Sequence, residues 1–196
     1  MTITILVDNH PGQDLTAEHG LAFWIETDRG NILFDTGQGD ALPANVEALG
    51  IDLSAADHVV LSHGHYDHTG ALPFVLERAP RAIVHLHPQA SGARFSIHEG
   101  TVRPIGMPAA ALAALAAWPA ARVQHVLAPC ELAPGIGLTG PVPRMSVFED
   151  TGGPFFLDPD GLESDPITDD LSLWIDTPDG LVVCLGCAHA GVVNIL

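Results

Sequence analysis

The 196-residue sequence predicts a mixed α/β fold of layered sheets and helices. Three observations point there. Short apolar strands fill the first third of the chain. Helical segments are interspersed after them, and a histidine-rich loop follows a buried strand directly.

Each element has a local reason. Thr2–Val7, Leu21–Glu26 and Asn31–Asp35 are rich in β-branched and apolar residues, and Asp28-Arg29-Gly30 supplies a turn between the last two. Asp40 to Gly50 reads as a helix with an acidic start and a glycine stop. Asp57–Ser62 reads as a buried strand that feeds the histidine-rich loop, and Leu72–Arg78 as a helix leaving it. A strand at Ile83–His87, a helix at Pro108–Trp118 and a strand at Val123–Leu127 follow. Residues 129–169 are rich in Pro, Gly and Asp and lack periodicity, so they read as long loops with short strands, the usual walls of a site. Leu171–Asp176 and Leu181–Leu185 flank Pro178-Asp179-Gly180 as a hairpin, and a helix begins at Val192. With no repeat and no composition break, residues 1–196 read as a single domain.

Composition narrows the function classes. The formal net charge is -17, set by 24 acidic residues against seven arginines and no lysine. Such a surface repels nucleic acid and anionic membranes, because phosphate neutralisation needs clustered cations. It leaves room for an anionic small-molecule substrate, since bound metal ions invert a local field. No apolar run reaches spanning length and the amino terminus lacks a charged leader region, so a cytoplasmic location is expected. Three cysteines fit a reducing compartment; Cys184 and Cys187, spaced C-x-x-C, are expected to form a structural or buried thiol pair.

The chemistry concentrates in His63-Gly64-His65-Tyr66-Asp67-His68. Imidazole nitrogen and carboxylate oxygen are ligands that zinc-type cations accept. On an extended segment His63, His65 and Asp67 share one side, while His68 faces the other unless the chain turns, which Thr69-Gly70 permits. Such a loop can offer two donor sets, enough to seed a site for two ions.

This motif, placed after a strand, resembles the signature of the metallo-β-lactamase superfamily. Ile32-Leu33-Phe34-Asp35-Thr36-Gly37 is similar to that family's upstream strand end. Gly186-Cys187-Ala188-His189-Ala190-Gly191, Thr139 to Arg144 and Phe148-Glu149 are similar to a branch that includes dihydropterin ribofuranosylaminobenzene-phosphate synthase-type proteins. The resemblance implies an αββα sandwich with metals at one edge. It implies that His63 and His65 hold a first ion, Asp67 and His68 a second, and that His189 adds a ligand, with Asp35 bracing the site from below. The branch continues past this point to a last histidine ligand. The chain therefore reads as a form lacking the C-terminal part, with a second ion that binds weakly or is completed by another chain, and with an apolar face favouring a homo-oligomer.

The function that follows is a metal-dependent hydrolase of a small ester, lactone or phosphoester-type substrate, with one or two zinc ions; iron and manganese stay open. Asp67 would act as ligand and as orienter of the attacking water. Two alternatives stand beside it: a synthase or transferase acting on a pterin or phosphoribosyl compound, and a non-catalytic metal-binding module. Other residues are expected in lesser roles. His85 and His87 alternate on one strand, while His10, His19, His98 and His125 carry no pattern and default to surface or packing. Asp169-Asp170 reads as a solvated strand start. Arg94, Arg103 and Arg144 read as surface charges, with an anion clamp the rarer use.

Overall fold

The computed structural model describes residues 1–10 and 12–196, and the backbone falls into two compact units. The first comprises residues 1–61, 66–86 and 108–125; the second comprises residues 62–65, 87–107 and 126–196.

The first unit is built on a six-stranded sheet in the order β1-β2-β3-β4-β5-β8. Strands β1 (Thr2–Val7), β2 (Ala22–Thr27) and β3 (Gly30–Phe34) are antiparallel neighbours. Strands β4 (His58–Val60), β5 (Ile83–Leu86) and β8 (Val123–His125) continue the sheet in parallel from β3. Sequence and position agree. The unbroken apolar runs Ile32-Leu33-Phe34 and Val59-Val60 are buried at the centre, as parallel strands covered on both faces must be. Edge strand β1 leaves Ile3 and Ile5 exposed. Helices α1 (Ala41–Leu49), α2 (Tyr66–Thr69), α3 (Leu72–Arg78) and α4 (Ala109–Ala117) complete this unit, with α1 packed on β1 and α3 on α4.

Helix α1 ends as its sequence predicts, with Gly50 left-handed at φ 65° and donating back to the Glu47 carbonyl. Its start differs from expectation. Asp40 is itself helical in conformation and makes no side-chain cap. The carboxylate of Glu18 does the capping, accepting from the amides of Gln38, Gly39, Asp40 and Ala41 at 2.8–3.2 Å.

The second unit holds two smaller antiparallel sheets. One runs β13 (Gly180–Cys184), β12 (Leu173–Thr177), β10 (Ile136–Leu138), β9 (Cys130–Ala133). The other runs β11 (Phe155–Phe156), β6 (Phe95–His98), β7 (Thr101–Pro104). A short helix, α5 (Val192–Ile195), follows β13. The β6–β7 hairpin is absent from the sequence expectation, because its residues are half-exposed or exposed and show no alternation to detect. The loop-rich stretch before residue 169 does carry short strands, as expected.

The same turn closes a hairpin in each unit. Thr27 Oγ donates to the Gly30 carbonyl at 2.8 Å, and Thr177 Oγ to the Gly180 carbonyl at 2.6 Å. In both, the glycine has a positive φ that a side chain would resist. The fold is thus the mixed α/β arrangement the sequence predicts, and among the described residues no helix is long and apolar enough to cross a membrane.

Candidate metal centre

The histidine motif crosses from one unit to the other between His65 and Tyr66. Its first half bends at His63 and Gly64 before His65 bridges to Gly106, and its second half is the helical turn α2. The side-to-side alternation expected of an extended segment therefore does not describe this motif, because the chain bends at His63 and Gly64 and turns helical from Tyr66.

In the second unit, His63, His65 and His189 converge. Their donor nitrogens all lie within 4.8 Å of one another. His63 Nε2 stands 2.9 Å from His65 Nδ1, and the His189 ring lies 4.8 Å and 5.0 Å from the other two, centroid to centroid. Two of the rings have fixed outer contacts: Ser62 Oγ lies 2.9 Å from His63 Nδ1, and His189 Nδ1 donates to the Thr151 carbonyl at 2.6 Å. Phe155 closes the edge, its ring 5.3 Å from His65 and 5.5 Å from His189.

This set fits a divalent ion. Donation from Nδ1 to Thr151 fixes the His189 tautomer and leaves a lone pair on Nε2. That atom is buried and finds no hydrogen-bond partner among the described residues. Donors around a tetrahedral zinc, at 2.0–2.1 Å bonds, stand about 3.3 Å apart, close to the spacing seen between His63 and His65. Burial works to lower the His189 pKa, but the Cys187 side chain, the Thr151 carbonyl and Asp170 outweigh it and the net direction is upward.

The turn that carries His189 is tightly made. Ala188 is left-handed at φ 54°. Arg144 donates to the His189 carbonyl at 2.8 Å, so this arginine holds a backbone turn instead of clamping an anion. Glu149 accepts from Val193 and Asn194 at the start of α5.

In the first unit, Asp35 and His68 form a buried pair, with His68 Nδ1 donating to Asp35 Oδ2 at 2.7 Å. This points His68 Nε2 away from the pair, 3.5 Å from Asp67 Oδ2. Asp35 sits at the end of β3 in a left-handed conformation, φ 61°, a strained state of the kind found at functional sites. The next residue, Thr36, donates to the His68 carbonyl from both its amide (2.8 Å) and its hydroxyl (3.0 Å). The strand end thus cradles the helical turn. His19 is exposed, as the sequence reading has it, and its Nε2 lies 3.3 Å from Asp67 Oδ2.

Several expectations need correction. Asp169 and Asp170 are not solvated but buried, at 0% and 2% exposure, and Arg94 is buried at 3% as the partner of Asp169. Burial pushes the Asp170 pKa up to about 6 against the amide of Ala190 and nearby His189, which lower it. Cys184 is buried and Cys187 exposed, and neither is in a disulfide, so they are not a buried pair. His85 and His87 keep the lesser roles expected of them, His85 pairing with His58 and His87 accepting from the Gln89 amide, but His87 lies just past β5 instead of on it. Thr151 and Phe155 escaped sequence reading because nothing local marks partners so far along the chain.

An α/β protein with three imidazoles, two buried and one half-buried, converging past strand ends belongs to the class of metal-binding proteins. More narrowly, the family model of the metallo-beta-lactamase superfamily matches residues 15–193, and the chain belongs to that superfamily. It is 28% identical over 194 residues to the 7,8-dihydropterin-6-methyl-4-(beta-D-ribofuranosyl)-aminobenzene-5'-phosphate synthase of Methanocaldococcus jannaschii, covering 92% of this chain and 64% of that protein. An uncharacterised protein of the same organism is 30% identical over 201 residues, covering 99% of this chain and 72% of that one. A crystal structure of a metal-dependent hydrolase of the beta-lactamase superfamily superimposes with a TM-score of 0.79 at 28% identity, covering 98% of this chain and 68% of that one. The chain thus spans about two thirds of the length of these relatives, slightly less for the synthase.

Proposed function

We propose that this chain is a metal-dependent hydrolase that acts on a small ester, lactone or phosphoester-type substrate. The observation that carries the proposal is the convergence of His63, His65 and His189 with the His189 lone pair left for a cation. His63, His65 and His189 would hold one zinc-type ion, and Asp67 with His68 would supply ligands to a second. When bound, such an ion supplies a water acidified towards pKa ~7 and an electrophile for the substrate oxygen.

The chain's own residues do the rest. Asp35 keeps the His68 proton on Nδ1, so that Nε2 stays available as a donor atom. Ser62 and Thr151 hold the His63 and His189 rings in orientation. Phe155 shields one edge of the three-histidine cluster from water. Asp67, beside His19, would orient the attacking water.

A second reading has a specific observation behind it: the likeness to the pterin-compound synthase spans 92% of this chain. Under that reading the same residues serve a transfer on a pterin or phosphoribosyl compound. One assay separates the two. Phosphoesters and lactones are offered beside a pterin with an aminobenzoate ribotide, and turnover of the first group alone supports hydrolysis. Turnover confined to the second group refutes hydrolysis, and one loosely held ion with no turnover identifies a non-catalytic module.

A further inference from the structure

Two adjacent aspartates tie together the turns that carry the three histidines. Asp169 Oδ2 accepts from the Gly64 amide at 2.8 Å, so it grips the single residue between His63 and His65. Asp170 Oδ2 accepts from the Ala190 amide at 2.6 Å, so it grips the residue after His189. The Leu171 amide then donates to the Ser62 carbonyl at 2.8 Å. Three consecutive residues therefore set where the two histidine-bearing turns stand relative to each other. Neither carboxylate belongs to the donor group formed by the histidines themselves.

The anchoring is deep. Arg94 Nη2 donates to Asp169 Oδ1 at 2.6 Å, and Arg94 Nε lies 3.5 Å from Asp165 Oδ2. Asp165 in turn accepts from the Ile167 amide at 2.8 Å, and this supports Ile167 at φ 48°, a conformation a β-branched residue rarely takes. A buried arginine flanked by two carboxylates costs desolvation that an apolar cluster would avoid, so stability alone does not account for it. Gly64 leaves little slack, because a Cβ there would lie 2.1 Å from the Ala90 carbonyl oxygen.

We infer that Asp169 and Asp170 are positioning residues that pre-set the spacing of the His63–His65 backbone and the His189 turn for one cation, with Arg94 holding Asp169 in place. The two differ in what they need. Asp169 faces a guanidinium and requires its charge, whereas Asp170 needs only an acceptor for the Ala190 amide. The inference rests on the three-histidine reading.

The test compares wild type with D169A, D169N, D170A and D170N. Zinc affinity is measured by competition with a chromophoric chelator, the cobalt(II) visible spectrum reports ligand geometry, and thermal melting of the metal-free proteins reports the fold. D169A, D169N and D170A should bind zinc about 10–100-fold more weakly and shift the cobalt bands, as loss of outer partners does at metal sites. D170N should stay within a few-fold of wild type. Should the alanine variants fail to fold, the contrast between D169N and D170N decides alone. Wild-type affinity and spectrum in a folded D169N, or lower melting temperatures with no change in the cobalt spectrum, would overturn the inference and leave the three-histidine reading intact. A wild-type chain that retains no ion would overturn that reading, and the inference with it.

Discussion

The pair His58–His85 should make this protein sensitive to mild acid. His85 is 6% exposed and its Nε2 lies 3.0 Å from His58 Nδ1. Burial first, and then the neighbouring His58, push the His85 pKa down to about 4. Burial also lowers His58, against the pull of Asp57. An unfolded histidine protonates near pH 6.5, so between 6.5 and about 4 the unfolded chain binds the extra proton. Stability is therefore intact above pH 6.5, falls as pH falls, and levels off below about 4. At about 1.36 kcal/mol per pH unit this amounts to on the order of 3 kcal/mol, a large part of a typical domain stability of roughly 5–15 kcal/mol. Urea unfolding of the metal-free protein at pH 7, 6, 5 and 4 reads it directly. Against His85→Gln, whose side chain does not titrate, the wild-type advantage should shrink by about that amount from pH 7 to pH 4. A gap that stays constant over this range would refute the reasoning.

Other expectations concern single contacts. Glu18→Ala removes the acceptor of four backbone amides at the start of α1 and should cost about 1–2 kcal/mol, a drop of about 2–8 °C in melting temperature; an unchanged melt removes Glu18 from the capping role. Asp35→Ala should leave His68 without its outer partner and weaken uptake of the second ion by about 10–100-fold, read by calorimetric zinc titration, and equal affinity would contradict the bracing role. Burial pushes the Cys184 thiol up to about 11, so alkylation mapped by mass spectrometry should proceed about 100-fold more slowly in the native chain than in the unfolded one; comparable rates would contradict its burial.

The parts legible in the sequence are those whose cause is local. The central strands announce themselves as apolar runs, α1 is marked by the Gly50 stop, and the histidine-rich motif marks out His63 and His65, two of the three histidines that converge in the second unit. What escaped depends on distant partners. Gly64 meets Asp169 across 105 residues, and His189 meets Thr151 across 38. The cap of α1 comes from Glu18, which lies in a preceding loop, so Asp40 drew the assignment merely by adjacency. Burial reversed the reading of Arg94 and the Asp169-Asp170 pair because paired charges can enter a core that single charges avoid. The exposed β6–β7 hairpin left no periodic trace. His19 gave no pattern either; only the approach of its loop to Asp67 brings it into view.

Zinc retention tests the central claim most directly. The purified chain, loaded with zinc and freed of excess ion, is analysed for metal beside His63→Ala and His189→Ala. Wild type should retain at least one tightly held ion per chain and each variant should lose it while keeping its fold. Wild type without bound zinc, or variants that hold as much as wild type, would contradict the account.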